Sequence, residues 1–317
     1  MEKAKRMKKI IILMSTYNGE QYLEEQVQSI INQKFRDGSY RVELFVRDDG
    51  SQDGTVRILE KYREKGLLSY YVGQNVGLKK SFWDLLRCAE DADYYAFSDQ
   101  DDVWFADKLS RAVERLSKEG DIPLLYCSDA VATDKDLHPI EGYEIHAKML
   151  PDFPYTLTEG NIVQGCTCVF NSKARTCMME YDMKKYPEEF HDALAGKIIS
   201  LLGRVVYDEA PSMFYRIHGN NAWAKKTSSS SGRKCFIKRI WIFFSYWERE
   251  VGSSARVLEE IYRNKIANSE KASCLYEVAH YRESFGTAIS FLKDKAFRTG
   301  DFKHDFKLFV KIMVGKI

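Results

Sequence analysis

The stretch MKKIIILMSTYNGEQYLEEQVQSIIN, residues 7–32, decides the fold. Residues 7–15 form a near-continuous apolar run of strand length, the pattern of a strand buried on both faces of a parallel sheet. Residues 20–32 set Tyr22, Leu23, Val27, Ile30 and Ile31 three and four positions apart, which predicts an amphipathic helix on that sheet. Between strand and helix stands the polar turn Ser15-Thr16-Tyr17-Asn18-Gly19-Glu20. The unit recurs downstream: strands are expected at 41–47, 69–72, 93–97 and 124–127, and helices at 55–65, 81–90 and 106–118. Such alternation predicts an α/β chain with a doubly wound, mostly parallel sheet, helices on both faces and right-handed crossovers. Ligands of these sheets bind at the carboxyl ends of the strands.

Beyond Asp129 the pattern loosens. Residues 162–170 (IVQGCTCVF) alternate like a strand, 191–202 read as a helix, and 204–217 hold strand-like pieces around Pro211. A Ser-rich linker is expected at 224–233, after a domain spanning 1–223 with halves at about 1–129 and 130–223. Residues 234–317 then read as a basic, helical C-terminal appendage. From Ala224 onward there are 19 Lys+Arg against 10 Asp+Glu, so the acidic excess lies in the first 223 residues.

Composition narrows the class. Over 317 residues, 44% hydrophobic and 30% charged content with six prolines describe a globular chain and exclude disordered and collagen-like ones. A net charge of +2 gives no reason to expect a nucleic-acid partner. Seven cysteines without a CxxC pair argue for a reducing compartment. The apolar run at 10–14 is too short for a signal-peptide core, and no stretch reaches the roughly 18 apolar residues of a membrane span.

Polar clusters follow the expected strands: Ser15 to Glu20, Asp48-Asp49-Gly50-Ser51-Gln52-Asp53-Gly54, and Ser98-Asp99-Gln100-Asp101-Asp102-Val103-Trp104. All three converge on one sheet edge. Asp and Gly after a strand also serve as turn and cap residues, and Asp53 reads equally as an N-cap. The carboxylates from Asp99 to Asp107 are harder to explain that way, because crowded carboxylates repel unless a cation or charged ligand offsets them. An Asp-x-Asp at a strand end offers hard oxygens to a divalent ion of the Mg²⁺ or Mn²⁺ class, which leaves positions open for substrate phosphates. The usual phosphate-binding Gly-rich loops are absent, so that ion would have to hold a diphosphate.

With Asn75-Val76-Gly77 and Asp107-Lys108-Leu109, these segments resemble the inverting glycosyltransferase family 2, of GT-A fold, over residues 7 to about 223. The match is closest to bacterial rhamnosyltransferase-like members that build surface polysaccharide. The resemblance implies a nucleotide diphosphate sugar donor of the dTDP-L-rhamnose or UDP-hexose class, and a glycan or lipid-linked acceptor. Thr16, Tyr17, Asn18, Glu20 and Asn75 would line the nucleotide pocket, with Asp49 accepting the base N–H. Asp101 would be the direct metal ligand, Asp99 would lie between metal and ribose, and His218 would complete the metal or diphosphate site. Arg216 would pair with a phosphate. Many members carry an arginine in the helix after Asn-x-Gly; here Lys79 or Lys80 stands in its place. Asp192 would be the base on the acceptor hydroxyl, although it also reads as a helix N-cap, and His191 would orient that base or touch the acceptor. Trp104, Gln164 and Gly165 would lie on the acceptor side, Trp104 reading equally as a core aromatic. Cys166 and Cys168 are expected on one strand face as core residues.

Aromatic residues recur at helical spacing among lysines and arginines over 234–249. They read either as a helix on an anionic bilayer surface or as a core or homodimer contact. The expected location is cytoplasmic, with peripheral attachment at the inner face of the cell membrane. Two competing readings remain: a nucleotidyltransferase acting on sugar phosphates, and a non-catalytic relative that binds glycan or partners.

Overall fold

The computed structural model describes residues 6–298 except 37, 146–151, 159–161, 184, 187–188 and 219–251, together with 305–306, 308–310 and 312. The first strand, β1 (Lys8–Thr16), pairs in parallel with β2 (Tyr40–Asp48) on one side and β4 (Tyr94–Ser98) on the other. The main sheet continues through β3 (Ser69–Val72), β6 (Leu124–Ser128), β9 (Val169–Asn171) and β10 (Arg204–Asp208), in the order β10-β6-β9-β4-β1-β2-β3. Six strands run parallel, and β9 is antiparallel to both neighbours.

That strand departs from the expectation. The 162–170 run alternates in sequence, but the chain makes a 3₁₀ turn at Gly165–Thr167 and only Val169–Asn171 is strand. Cys166 and Cys168 therefore share no strand face. Cys166 packs with the core on one side of the sheet and Cys168 with the core on the other.

The alternation of β1 assigns the two faces. Ile11 and Leu13 point into a core built with α3 (Leu78–Cys88), α6 (Ser172–Met179) and α7 (His191–Leu202). Ile10, Ile12 and Met14 point into the opposite core, formed with α1 (Leu23–Ile31), α2 (Thr55–Glu64) and α4 (Lys108–Leu116). A second sheet, β5 (Val103–Trp104), β11 (Met213–Arg216), β7 (Ala130–Thr133) and β8 (Pro139–Ile145), stands beside the carboxyl end of β4. The short helix α5 (Tyr155–Thr158) lies against α7.

The C-terminal helices α8 (residues 252–266), α9 (Glu270–His280) and α10 (Phe285–Lys293) add to the first core. Ala255, Leu258, Tyr262, Leu275 and Phe291 are at most 1% exposed and continuous with the α6 and α7 side chains. They form a helical layer packed on that core. The expected linker at 224–233 and the aromatic segment 234–249 lie outside the described residues. Among the described residues, no helix is long and apolar enough to cross a membrane.

Candidate active site

The turns after β1 and β2 are laced together. Ser51 Oγ accepts from Asn18 N at 2.9 Å, Asn18 Oδ1 from Gln52 N at 2.8 Å, and Glu20 Oε2 from Gly54 N at 2.5 Å. Asn18 and Glu20 thus brace this rim. Asp48, fully buried, accepts from Thr16 Oγ1 and from the Gly50 and Ser51 amides, which closes the β2 turn. Asp49, expected to meet a base N–H, is also buried. It accepts from Val76 N at 2.9 Å and Gly77 N at 2.8 Å, and it pairs with the Arg47 guanidinium. Gly77 makes that contact at φ 79°, a conformation open to glycine at little cost. Tyr17 is 46% exposed, and Asn75 and Lys80 are exposed at the same edge. Lys79, rather than Lys80, reaches across to the residue before α7, its ammonium lying 4.3 Å from the Phe190 ring centre.

The acidic loop leaves the end of β4. Asp101 Oδ2 lies 2.8 Å from His218 Nε2, so the two expected metal ligands meet. Asp102 is fully buried; its Oδ1 accepts the Arg216 amide, and its Oδ2 has no partner among the described residues. Ligand atoms of Asp99, Asp102 and Cys166 lie within 4.8 Å of one another. Burial, then the nearby Asp101 and Asp192 charges, push the Asp99 carboxyl up to about 7. Burial, then the Asp101 and Asp99 charges, hold Asp102 well above the carboxylate range. An orphaned buried oxygen among crowded hard oxygens, with an imidazole beside them, suits a divalent cation. The residues present therefore fit the metal that the sequence implies.

Arg216 corrects an expectation. Its side chain is 2% exposed and turned into the protein, where it donates to Glu25 Oε2, Asp101 O at 2.8 Å and Lys135 O, and lies over the Tyr22 ring. Its donors are engaged with α1, the acidic loop and the β7–β8 turn, so it shapes the loop from behind instead of meeting phosphate. The other face of the site is α7. Asp192 stands in its first turn, where its Oδ2 accepts from Gly165 N at 3.2 Å. A carboxylate is favoured there by the helix N-terminus.

His191, expected to assist, lies beneath. It is 5% exposed, stacked on Phe82 at 3.9 Å and against the edge of Phe97 at 4.8 Å, and neither ring nitrogen has a hydrogen-bond partner among the described residues. Burial lowers its pKa, keeping it neutral, and it does not orient Asp192 through a hydrogen bond. Gly165 permits this packing: a Cβ there would lie 2.6 Å from His191 Nε2. Gln164 flanks Gly165, its buried Oε1 without a partner among the described residues. Trp104 takes the core alternative: it is 3% exposed, with the Lys108 ammonium 3.9 Å from its ring centre.

Lys108 is a residue to which sequence reasoning gave no role. Fully buried, it donates to Cys166 O, and burial lowers its pKa to about 8 against the raising effect of Asp102 and Asp99. The signal was present: Lys108, Leu109, Ala112, Val113 and Leu116 share the buried stripe of α4.

The model of the family described as "Glycosyl transferase family 2" matches residues 11–172. The dTDP-rhamnosyl transferase RfbG of Shigella flexneri is 29% identical over 273 residues, covering 78% of this chain and 85% of that protein. An uncharacterized glycosyltransferase of Haemophilus influenzae is 24% identical over 294 residues, covering 85% of both. Among solved structures, S. aureus TarS 1–349 in complex with UDP-GlcNAc superposes with a TM-score of 0.52 at 17% identity, over 98% of this chain and 82% of that one, which speaks for the fold. With the family model spanning half the sequence and both the acidic loop and the paired-Asp turn inside it, this chain belongs to glycosyltransferase family 2 and is a glycosyltransferase of GT-A fold.

Proposed function

We propose that the protein transfers a sugar, with inversion, from a nucleotide diphosphate sugar to a hydroxyl of a glycan or lipid-linked acceptor in bacterial surface polysaccharide synthesis. The observation that carries this reading is the convergence of two carboxylate sets on one mouth. Asp99 and Asp102 lie beside Cys166, and the adjacent Gly165 binds Asp192. In this reading Asp192 is the base and the Asp99–Asp102 loop the phosphate side, with the anomeric carbon between them.

In this reading Asp192 takes the proton from the acceptor hydroxyl as its oxygen attacks the anomeric carbon. The new C–O bond forms as the sugar's bond to the diphosphate breaks, and one displacement inverts the centre. Tyr17, Asn75 and the rim braced by Asn18 and Glu20 frame the nucleotide. Thr16 and Asp49 support that rim from within, so base recognition by Asp49 requires the 75–77 turn to open. Asp101, Asp99 and His218 would hold a Mn²⁺ or Mg²⁺ ion, which when bound offsets the charge developing on the diphosphate. Lys79 and the exposed Phe190 flank Asp192 on the acceptor side with Gln164.

The similarity to a dTDP-rhamnosyl transferase favours dTDP-L-rhamnose over a UDP-hexose. Peripheral attachment through 234–249 at the inner membrane face accompanies a lipid-linked acceptor, and retention on anionic vesicles at low salt tests it. The donor assignment is tested by screening nucleotide sugars for heat stabilisation with Mn²⁺, Mg²⁺ or chelator. A shift with dTDP-L-rhamnose that requires the metal is expected. Equal shifts for all nucleotides, or none with any, would refute the reading.

A further inference from the structure

We propose that helix α8 positions the segment that carries Asp192, through a buried connection in which Lys197 joins Glu189 to Ser254. The inference rests on the reading of Asp192 as the base. Asp192 is the second residue of α7, and between α6 and α7 the described residues of 180–190 form neither helix nor strand. Beyond the local turn bonds at 180–186, such as Tyr186 N to Asp182 O, side chains hold its described residues in place.

Tyr181 stacks on Trp83 of α3 and Phe190 lies against Lys79 of the same helix, and four polar side chains among the described residues also reach a helix. Glu180 accepts from Lys265, Lys185 and Tyr186 both bond Glu260 at 2.7 Å, and Glu189 Oε1 accepts from Lys197 Nζ at 2.8 Å. The first three contacts lie at the surface, where water and salt weaken such pairs. The fourth is different: Lys197 is 4% exposed and Glu189 9%, and Lys197 Nζ also donates to Ser254 Oγ of α8, itself 5% exposed, at 3.1 Å.

A buried ammonium is tolerated only where its partners are well placed, so this junction specifies geometry in a way that apolar packing alone does not. Glu189 precedes Asp192 by three residues and Lys197 follows it by five, so the pair brackets the carboxylate and ties the bracket to α8. Neither α7 nor α8 falls within residues 11–172, the part matched by the family model.

The test uses the full chain with Lys197→Met, Lys197→Arg and Ser254→Ala, reading donor Kd by calorimetry apart from kcat for transfer. Lys197→Met is expected to lower kcat at least about tenfold, with donor Kd held within about twofold. Ser254→Ala should lower kcat less but with the same split, and Lys197→Arg should recover most of the rate. If Lys197→Met does not fold, Ser254→Ala decides alone. A kcat within about twofold of the parent in folded Lys197→Met or, failing that, in Ser254→Ala, or donor affinity falling in step with kcat, would overturn the proposal. Asp192→Asn, measured alongside, separates the two levels. Retained turnover there removes the base assignment, whereas lost turnover there with an unchanged Lys197→Met removes only the positioning role.

Discussion

Gly165→Ala perturbs the site without deleting a functional group. The backbone at 165 lies outside the left-handed region, so the whole penalty comes from contact. The added Cβ would stand 2.6 Å from His191 Nε2 and 3.1 Å from Asp192 Cβ, against an ordinary contact of 3.4 Å or more. The ring or the first turn of α7 must therefore give way by roughly 0.8 Å in a close-packed interior. The imidazole is held between Phe82 and Phe97 and has little room to retreat, so the shift falls on Asp192 and on its bond from Gly165 N. Overpacking of this kind costs about 1–3 kcal/mol of stability. A misplacement of about 1 Å at a reacting group costs on the order of 10²-fold in rate. Urea unfolding gives the first quantity, and kcat with donor Kd gives the second. The expected variant is folded, binds donor normally and turns over about a hundredfold more slowly. A folded variant with kcat within about twofold of the parent would refute the argument that Gly165 sets the position of Asp192.

Arg216→Met removes the guanidinium that joins Glu25, Asp101 O and Lys135 O and leaves those carbonyls without their donor; thermal unfolding should show a loss of about 1–3 kcal/mol, and calorimetry a weaker Mn²⁺-dependent donor affinity. Asp208 is held by Arg111 at 2.7 Å and by Arg115 and Tyr126 at 2.9 Å. Burial raises its pKa, but these bonds outweigh burial and set it below the 3.8 of a free carboxyl. Its stabilisation is therefore present above pH 3.8 and lost as pH falls through the lower folded value. Asp208→Asn should cost about 3 kcal/mol at neutral pH and progressively less in acid unfolding titrations. His280 shifts the other way. Partial burial lowers its pKa, but bonds to Glu283 and Glu259 raise it above 6.5 overall. That contribution is full below pH 6.5 and disappears as pH rises through the folded value, so His280→Gln should destabilise at pH 6 and match the parent at pH 9.

Elements governed by local periodicity could be read directly. β1, α1, α2 and α4 follow their apolar spacing because each places one stripe or both faces in a core. The convergence of the Asp48, Asp99 and Ser15 turns followed from parallel strands, which end on one edge. What escaped reading was decided by tertiary contact. Residues 162–170 alternate as a strand does, yet Gly165 is needed where α7 approaches, and the chain turns there. Arg216, beside a loop histidine, has the look of a phosphate ligand; burial against Tyr22 and Glu25 gave it another task. His191 reads as a polar site residue, but Phe82 and Phe97 enclose it, and nothing in its neighbours along the chain announces those rings. Lys108 carried its signal in the spacing of α4, hidden because a lysine is normally taken for surface.

The account depends on a division of labour across one mouth, donor diphosphate on the Asp101 side and proton transfer on the Asp192 side. Calorimetry of donor binding with Mn²⁺, set beside turnover, for Asp101→Asn and Asp192→Asn tests it most directly. Asp101→Asn should lose metal-dependent donor binding, and Asp192→Asn should keep donor affinity nearly intact while losing turnover. Equal loss of donor binding in both variants, or turnover surviving in Asp192→Asn, would contradict the assignment.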